Sequence, residues 1–124
     1  MRLKRAKRIV DRIYPFIEKD YGWSKYQKKF PYIDFEKSMF DSPSQEDDAH
    51  GDYDSEENII TLYYPKLRTK KQLIQTLLHE YKHYLQSPRW RSRYFSMGYH
   101  YGNHPYEIEA KEEEKNWKKY AKVK

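Results

Sequence analysis

Cysteine is absent from the 124 residues. A disulfide scaffold and a cysteine-ligated structural zinc site are both excluded. No apolar run approaches the roughly 20 residues of a membrane-spanning helix. The basic N-terminus is not followed by the apolar core of a signal peptide. A cytoplasmic protein without membrane contact is therefore expected. Internal repeats and linker-like stretches are also lacking, which suggests one domain over residues 1–124.

What is plentiful is charge and tyrosine. Charged residues make up 35% and hydrophobic residues 37%, and 14 residues are Tyr. So much charge would suit a disordered chain, but the aromatic content and a clear periodicity argue for a folded one. The core must then be partly aromatic, with phenol hydroxyls that need partners. Formal charge is +6, from 25 basic and 19 acidic residues. Arg2, Lys4, Arg5, Lys7, Arg8 and Arg12 crowd the start, Lys25, Lys28 and Lys29 follow, and Arg89, Arg91 and Arg93 form a third group. Acidic residues gather in 41–57 and 107–114. A solvated surface is the preferred reading of the basic groups, with nucleic acid second.

Hydrophobic spacing predicts an α+β chain. Leu3, Ala6, Ile9, Val10, Ile13, Phe16 and Ile17 repeat at helical intervals over residues 2–19, with Pro15 expected to kink or split the helix and Gly22 to stop it. Residues 30–39 hold a short strand around Tyr32–Glu36, and 41–48 read as a mobile acidic loop. His50–Asp54, a turn at 55–58 and the β-branched run Ile59–Tyr64 predict a hairpin ended by Pro65. Thr69 and Gln72 have the spacing of a capping box, opening a helix that runs to about Gln86. Residues 87–103 are expected to be a long loop. Pro105 suits the first position of a last helix reaching about Tyr120.

One short run carries chemistry. His79-Glu80-Tyr81-Lys82-His83 is an H-E-x-x-H box. Residues four apart share a helix face, so both imidazoles can bind one Zn²⁺ while Glu80 takes a proton from water. At about 100° per residue, Ile74, Leu77, Leu78, Tyr81, Tyr84 and Leu85 gather on one side. His79 and His83 fall nearly opposite, so they face something other than that core. Zinc needs a third protein ligand. The helix opening at Pro105 offers Glu107 and Glu109, which flank its apolar stripe of Tyr106, Ala110, Trp117 and Ala121; periodicity does not choose between them.

The chain resembles the gluzincins, zinc metallopeptidases with H-E-x-x-H on one helix and a Glu ligand on a following helix. The nearest patterns are the ImmA/IrrE-like peptidases and compact zincin domains of phages. Their second helix carries E-x-x-A, matched by Glu107-Ile108-Glu109-Ala110. The likeness spans about residues 50–115. It implies a compact zincin-like domain: an N-terminal helix, a small mixed sheet with an edge strand above the active-site helix, and a Glu-bearing helix closing the site. It implies one Zn²⁺ on His79, His83 and Glu107, with Glu80 as general base in peptide hydrolysis and a protein or peptide as substrate. An oxyanion donor is expected among Tyr99, His100, Tyr101 and His104. Glu113 and Glu114 could hold the histidines' free N–H groups, but a solvated acidic face is the preferred reading. The alternatives are a DNA-associated protease of SprT-like type and a catalytically silent, metal-stabilised interaction module.

Overall fold

A computed structural model describes residues 1–37 and 49–123. The acidic stretch 41–48 lies outside the described residues. Element order is α1 (Leu3–Tyr21), β1 (Tyr32–Glu36), β2 (Gly51–Asp54), β3 (Ile59–Tyr63), α2 (Lys70–Leu85), α3 (Pro88–Ser96), α4 (Pro105–Glu113) and α5 (Trp117–Ala121), with 3₁₀ turns at Tyr64–Lys66, Tyr101–Asn103 and Glu114–Asn116. This is an α+β arrangement.

The sheet is small and mixed, ordered β1-β3-β2. β3 runs parallel to β1, with Tyr32 opposite Ile59, and antiparallel to β2, with Gly51 opposite Leu62. The β-branched run 59–63 is thus the central strand rather than an edge. Its Ile60 and Leu62 point into the core, and the site-facing edge is β2. Asn58 closes the hairpin at φ 56°, a left-handed geometry that Asn tolerates.

α2 runs through the middle of the molecule. Thr69 caps it by accepting from the Gln72 N–H at 3.1 Å. The return bond of a capping box is shifted by one residue, with Gln72 Oε1 accepting from Arg68 N at 2.8 Å. Leu73, Ile74, Leu77, Leu78, Tyr81 and Tyr84 pack with Ala6, Ile9, Val10, Ile13 and Ile17 of α1 and with the sheet. Each fully buried aliphatic side chain contributes about 1.5–3 kcal/mol. The phenols find partners as the composition demands. Tyr81 donates to Gly22 O (2.7 Å), Tyr84 to Lys29 O (2.9 Å) and Tyr14 to Pro31 O (2.7 Å).

Three sequence expectations need correcting. α1 is not split: it passes through Pro15, whose ring sits on the exposed face, and Gly22 at φ 74° ends it. Residues 87–103 are not one loop. Ser87 accepts from Trp90 N at 3.2 Å and Pro88 takes the first position, so this pair starts α3 as well as ending α2. The last helix is two, joined by the 3₁₀ turn at 114–116, where Glu113 and Glu114 are both engaged by other elements.

Candidate metal centre

The face of α2 opposite the core is buried as well, because α4 and β2 cover it. Glu80 and His83 are each 8% exposed and Glu107 is 6% exposed. His104 caps α4 by accepting from Tyr106 N, which places Glu107 in its first turn, over the histidines. His79, His83 and Glu107 each offer a ligand atom, all within 4.8 Å of one another. His83 Nε2 is 2.6 Å and His79 Nε2 3.5 Å from Glu107 Oε1.

That oxygen tests whether the residues suit a cation. Glu107 Oε1 is buried and makes no hydrogen bond among the described residues; His83 Nε2 bonds the other carboxylate oxygen at 3.1 Å and lies 2.6 Å from Oε1. With two imidazole nitrogens beside it, the donor set is that of a His₂Glu site. The three can hold a metal ion between them.

Surrounding groups orient these donors. His79 Nδ1 is 2.8 Å from Glu114 Oε2, which leaves Nε2 turned toward Glu107. His83 Nδ1 is 2.7 Å from Gln86 Oε1, and Gln86 Nε2 donates to Glu109 Oε1 at 3.0 Å. Glu107 therefore joins the histidines, while the exposed Glu109 acts on His83 only through Gln86. Glu114 is engaged, not solvated as expected. Glu113 serves the scaffold, accepting from Tyr21 at 2.7 Å and from Asn116 at 2.9 Å.

Charge at the site is strongly coupled. Burial opposes protonation of His79, but Glu107 and Glu114 outweigh it and raise the ring to about 10. Burial also opposes the Glu107 charge, yet His79 and His83 hold its carboxyl well below the usual range. Among the described residues Glu80 has no side-chain hydrogen bond of this kind. Burial lifts it to about 8, with His79 opposing and Glu107 and Asp52 adding.

The cluster opens into a cleft of ≈ 580 Å³ lined by Gly51, Asp52, Glu80, His83, Arg91 and Tyr101, among others. Gly51 makes the close approach of β2 to α2 feasible. A Cβ there would lie 2.7 Å from Thr76 Cγ2 and 3.4 Å from Glu80 Cγ. Of the four candidate oxyanion donors, the structure brings Tyr101 into this cleft. Tyr101 is 65% exposed overall, but desolvation of its phenol within the cleft and the Glu107 and Glu80 carboxylates hold its pKa above the ordinary value. His104 is fully buried and bonds Arg91 O and Tyr106 N; His100 caps the 101–103 turn; Tyr99 packs edge-on against Tyr94.

Sequence reasoning missed Arg91, whose Nη1 is 3.1 Å from His83 Nδ1 and Nη2 3.7 Å from Glu107 Oε1. It had been counted as surface charge. Gln86 and Gly51 were missed too. Gln86 lies three residues beyond His83 on the same helix face, and Glu114 two turns beyond Glu107, so both had a positional signal. Comparison with protein families, with curated proteins and with solved structures finds no match to the chain.

Proposed function

We propose that the chain is a zinc-dependent peptidase in which His79, His83 and Glu107 hold the metal and Glu80 is the general base. The observation that carries this reading is the buried, hydrogen-bond-less Glu107 Oε1 facing two imidazoles, with a buried carboxyl beside them in an open cleft. Zinc in such a site acidifies water and polarises a carbonyl. Glu80 takes the proton of the attacking water and passes it to the leaving amine. The Tyr101 hydroxyl is the donor available to the developing oxyanion. Among the described residues the outer edge of β2 is unpaired and runs along the cleft, offering main-chain groups to an extended peptide, which supports a polypeptide substrate.

The test is metal analysis joined to one substitution. Protein purified without added metal should carry close to one zinc per chain, and a His79→Ala, His83→Ala variant should carry none. Glu80→Gln should keep its zinc, while hydrolysis of an unfolded protein such as casein drops by about 10²-fold or more. Zinc retained by the double variant, or equal hydrolysis by parent and Glu80→Gln, would overturn the reading. Zinc retention with no hydrolysis by the parent across a broad peptide library would favour the interaction module.

A further inference from the structure

The basic groups near the N-terminus are placed in a way their sequence does not reveal. Arg2, Lys4, Arg5, Lys7, Arg8 and Arg12 are all exposed, on α1 or at its start. At about 100° per residue, Lys4, Arg5, Arg8 and Arg12 share roughly a 100° arc opposite the buried stripe. Lys119, Lys115 and Lys82 pair with Asp20, Glu112 and Glu113, whereas Lys25, Lys28, Lys29 and Lys118 have no ion-pair partner among the described residues but are spread over other elements. Among the described residues, none of the six has an ion-pair partner, and Asp11 is the one acid in these first turns. Arg8 and Arg12 also line a shallow crevice with Lys70, from the start of α2, so cations of two elements converge there.

We propose that this face of α1 docks on the phosphate backbone of duplex DNA. A concentration of unpaired cations on one rigid element is the complement of a regularly charged polyanion. Phe16, one turn beyond Arg12, is the single exposed aromatic ring of α1, short of the run of aromatic platforms on which successive single-stranded bases stack. Apart from Phe16, 49% exposed, and the half-buried Leu3, its apolar stripe is at most 8% exposed, so α1 cannot lay a full apolar face into a lipid surface without opening the core. A helix exposed over about half its circumference is the element the B-form major groove admits, whereas the A-form groove of RNA is too narrow. No residue of α1 lines the cleft, so DNA binding leaves the metal centre open and does not depend on it.

The experiment is fluorescence anisotropy of the full chain with a short mixed-sequence DNA duplex over ~50–200 mM salt. Four phosphate contacts give a log–log slope of about −3.6, a loss of about 150-fold over that range. Neutralising Lys4, Arg5, Arg8 and Arg12 to Gln together should flatten the slope to near zero. The milder Lys4→Gln, Arg8→Gln pair should remove about half of it. A control with the same charge change, Lys25→Gln, Lys28→Gln, Lys29→Gln and Lys118→Gln, should keep the slope. Circular dichroism confirms that each variant folds. Equal loss in the control would reduce the effect to net charge and overturn the proposal. So would absence of binding at ~50 mM salt, or tighter binding to single-stranded DNA, duplex RNA or anionic vesicles.

Discussion

Gly51→Ala probes the closest approach in the molecule. The added Cβ would stand 2.7 Å from Thr76 Cγ2 and 3.0 Å from Thr61 O. Comfortable carbon contacts begin near ~3.5 Å, so β2 and α2 would have to part by roughly 0.8 Å. Overpacking of this kind costs about 1–3 kcal/mol. Alanine also stiffens the unfolded chain, which returns about 0.4–1 kcal/mol. The net loss should be about 0–2.6 kcal/mol, centred at ~1.3, which at the centre is a drop in Tm of roughly 5 °C for a domain of this size. Urea and thermal melts of the metal-free protein measure it. The clash can also be relieved. Thr76→Ser removes Cγ2 but keeps the hydroxyl that donates to Gln72 O at 2.8 Å. In that background Gly51→Ala should cost about 1 kcal/mol less, a coupling that a double-mutant cycle reads directly. Thr61 O remains in the way, so the rescue should be partial. A Gly51→Ala variant as stable as the parent in both backgrounds would refute the packing of β2 on α2, and with it the depth of the cleft over Glu80.

Three further outcomes are expected. Glu107→Gln should weaken zinc binding by at least about tenfold and Glu114→Gln by roughly tenfold, with Glu109→Gln affecting it least; calorimetric titration checks the order, and a larger effect at Glu109 would reverse the ligand assignment. Without metal, Glu80 and His79 bind protons more tightly folded than unfolded, so the stability they lend is present below their ordinary values and fades as pH rises through about 8 and about 10. Glu107 has the opposite sign and its contribution is lost only in acid. The chelated protein should therefore melt lower on going from pH 6.5 toward 10, while zinc should counter the trend because its ligands bind deprotonated; a rise in the metal-free melting point over that range would contradict the site's charge coupling. Leu77→Ala, at a fully buried position of α2, should cost about 2–5 kcal/mol by urea unfolding, and a cost under about 1 would question the central place of that helix.

The sequence was most legible where one physical rule acted alone. The i, i+4 spacing of His79 and His83 and the β-branched run 59–63 needed no tertiary knowledge, and both elements are present. The choice of Glu107 over Glu109 rested on a pattern match, because both flank the same apolar stripe. What was hidden required knowing which elements meet. Ser87-Pro88 was read as a stop, though the same two residues make a good start. Arg91 sat within an apparent surface cluster, and only the fold of α3 turns its guanidinium toward His83. Gly51 is unremarkable until α2 lies against it. Tyr120, 2% exposed, was left off the last helix's apolar stripe although, at about 100° per residue, it falls roughly 40° from Tyr106.

The phenols of Tyr81, Tyr84 and Tyr14 fasten the segment from Gly22 to Pro31 through its main-chain carbonyl oxygens. Every residue type presents that oxygen, so these anchors make no demand on the side chains of the segment itself. Trp23, Lys25, Tyr26, Lys28 and Lys29 are exposed accordingly. The loop's path is encoded at a distance, by tyrosines on two helices, and its surface chemistry is left open to mutation. Selection can rewrite what this stretch shows to the outside without refolding it. A Tyr→Phe change deep in the core would free the path while leaving every exposed residue in place.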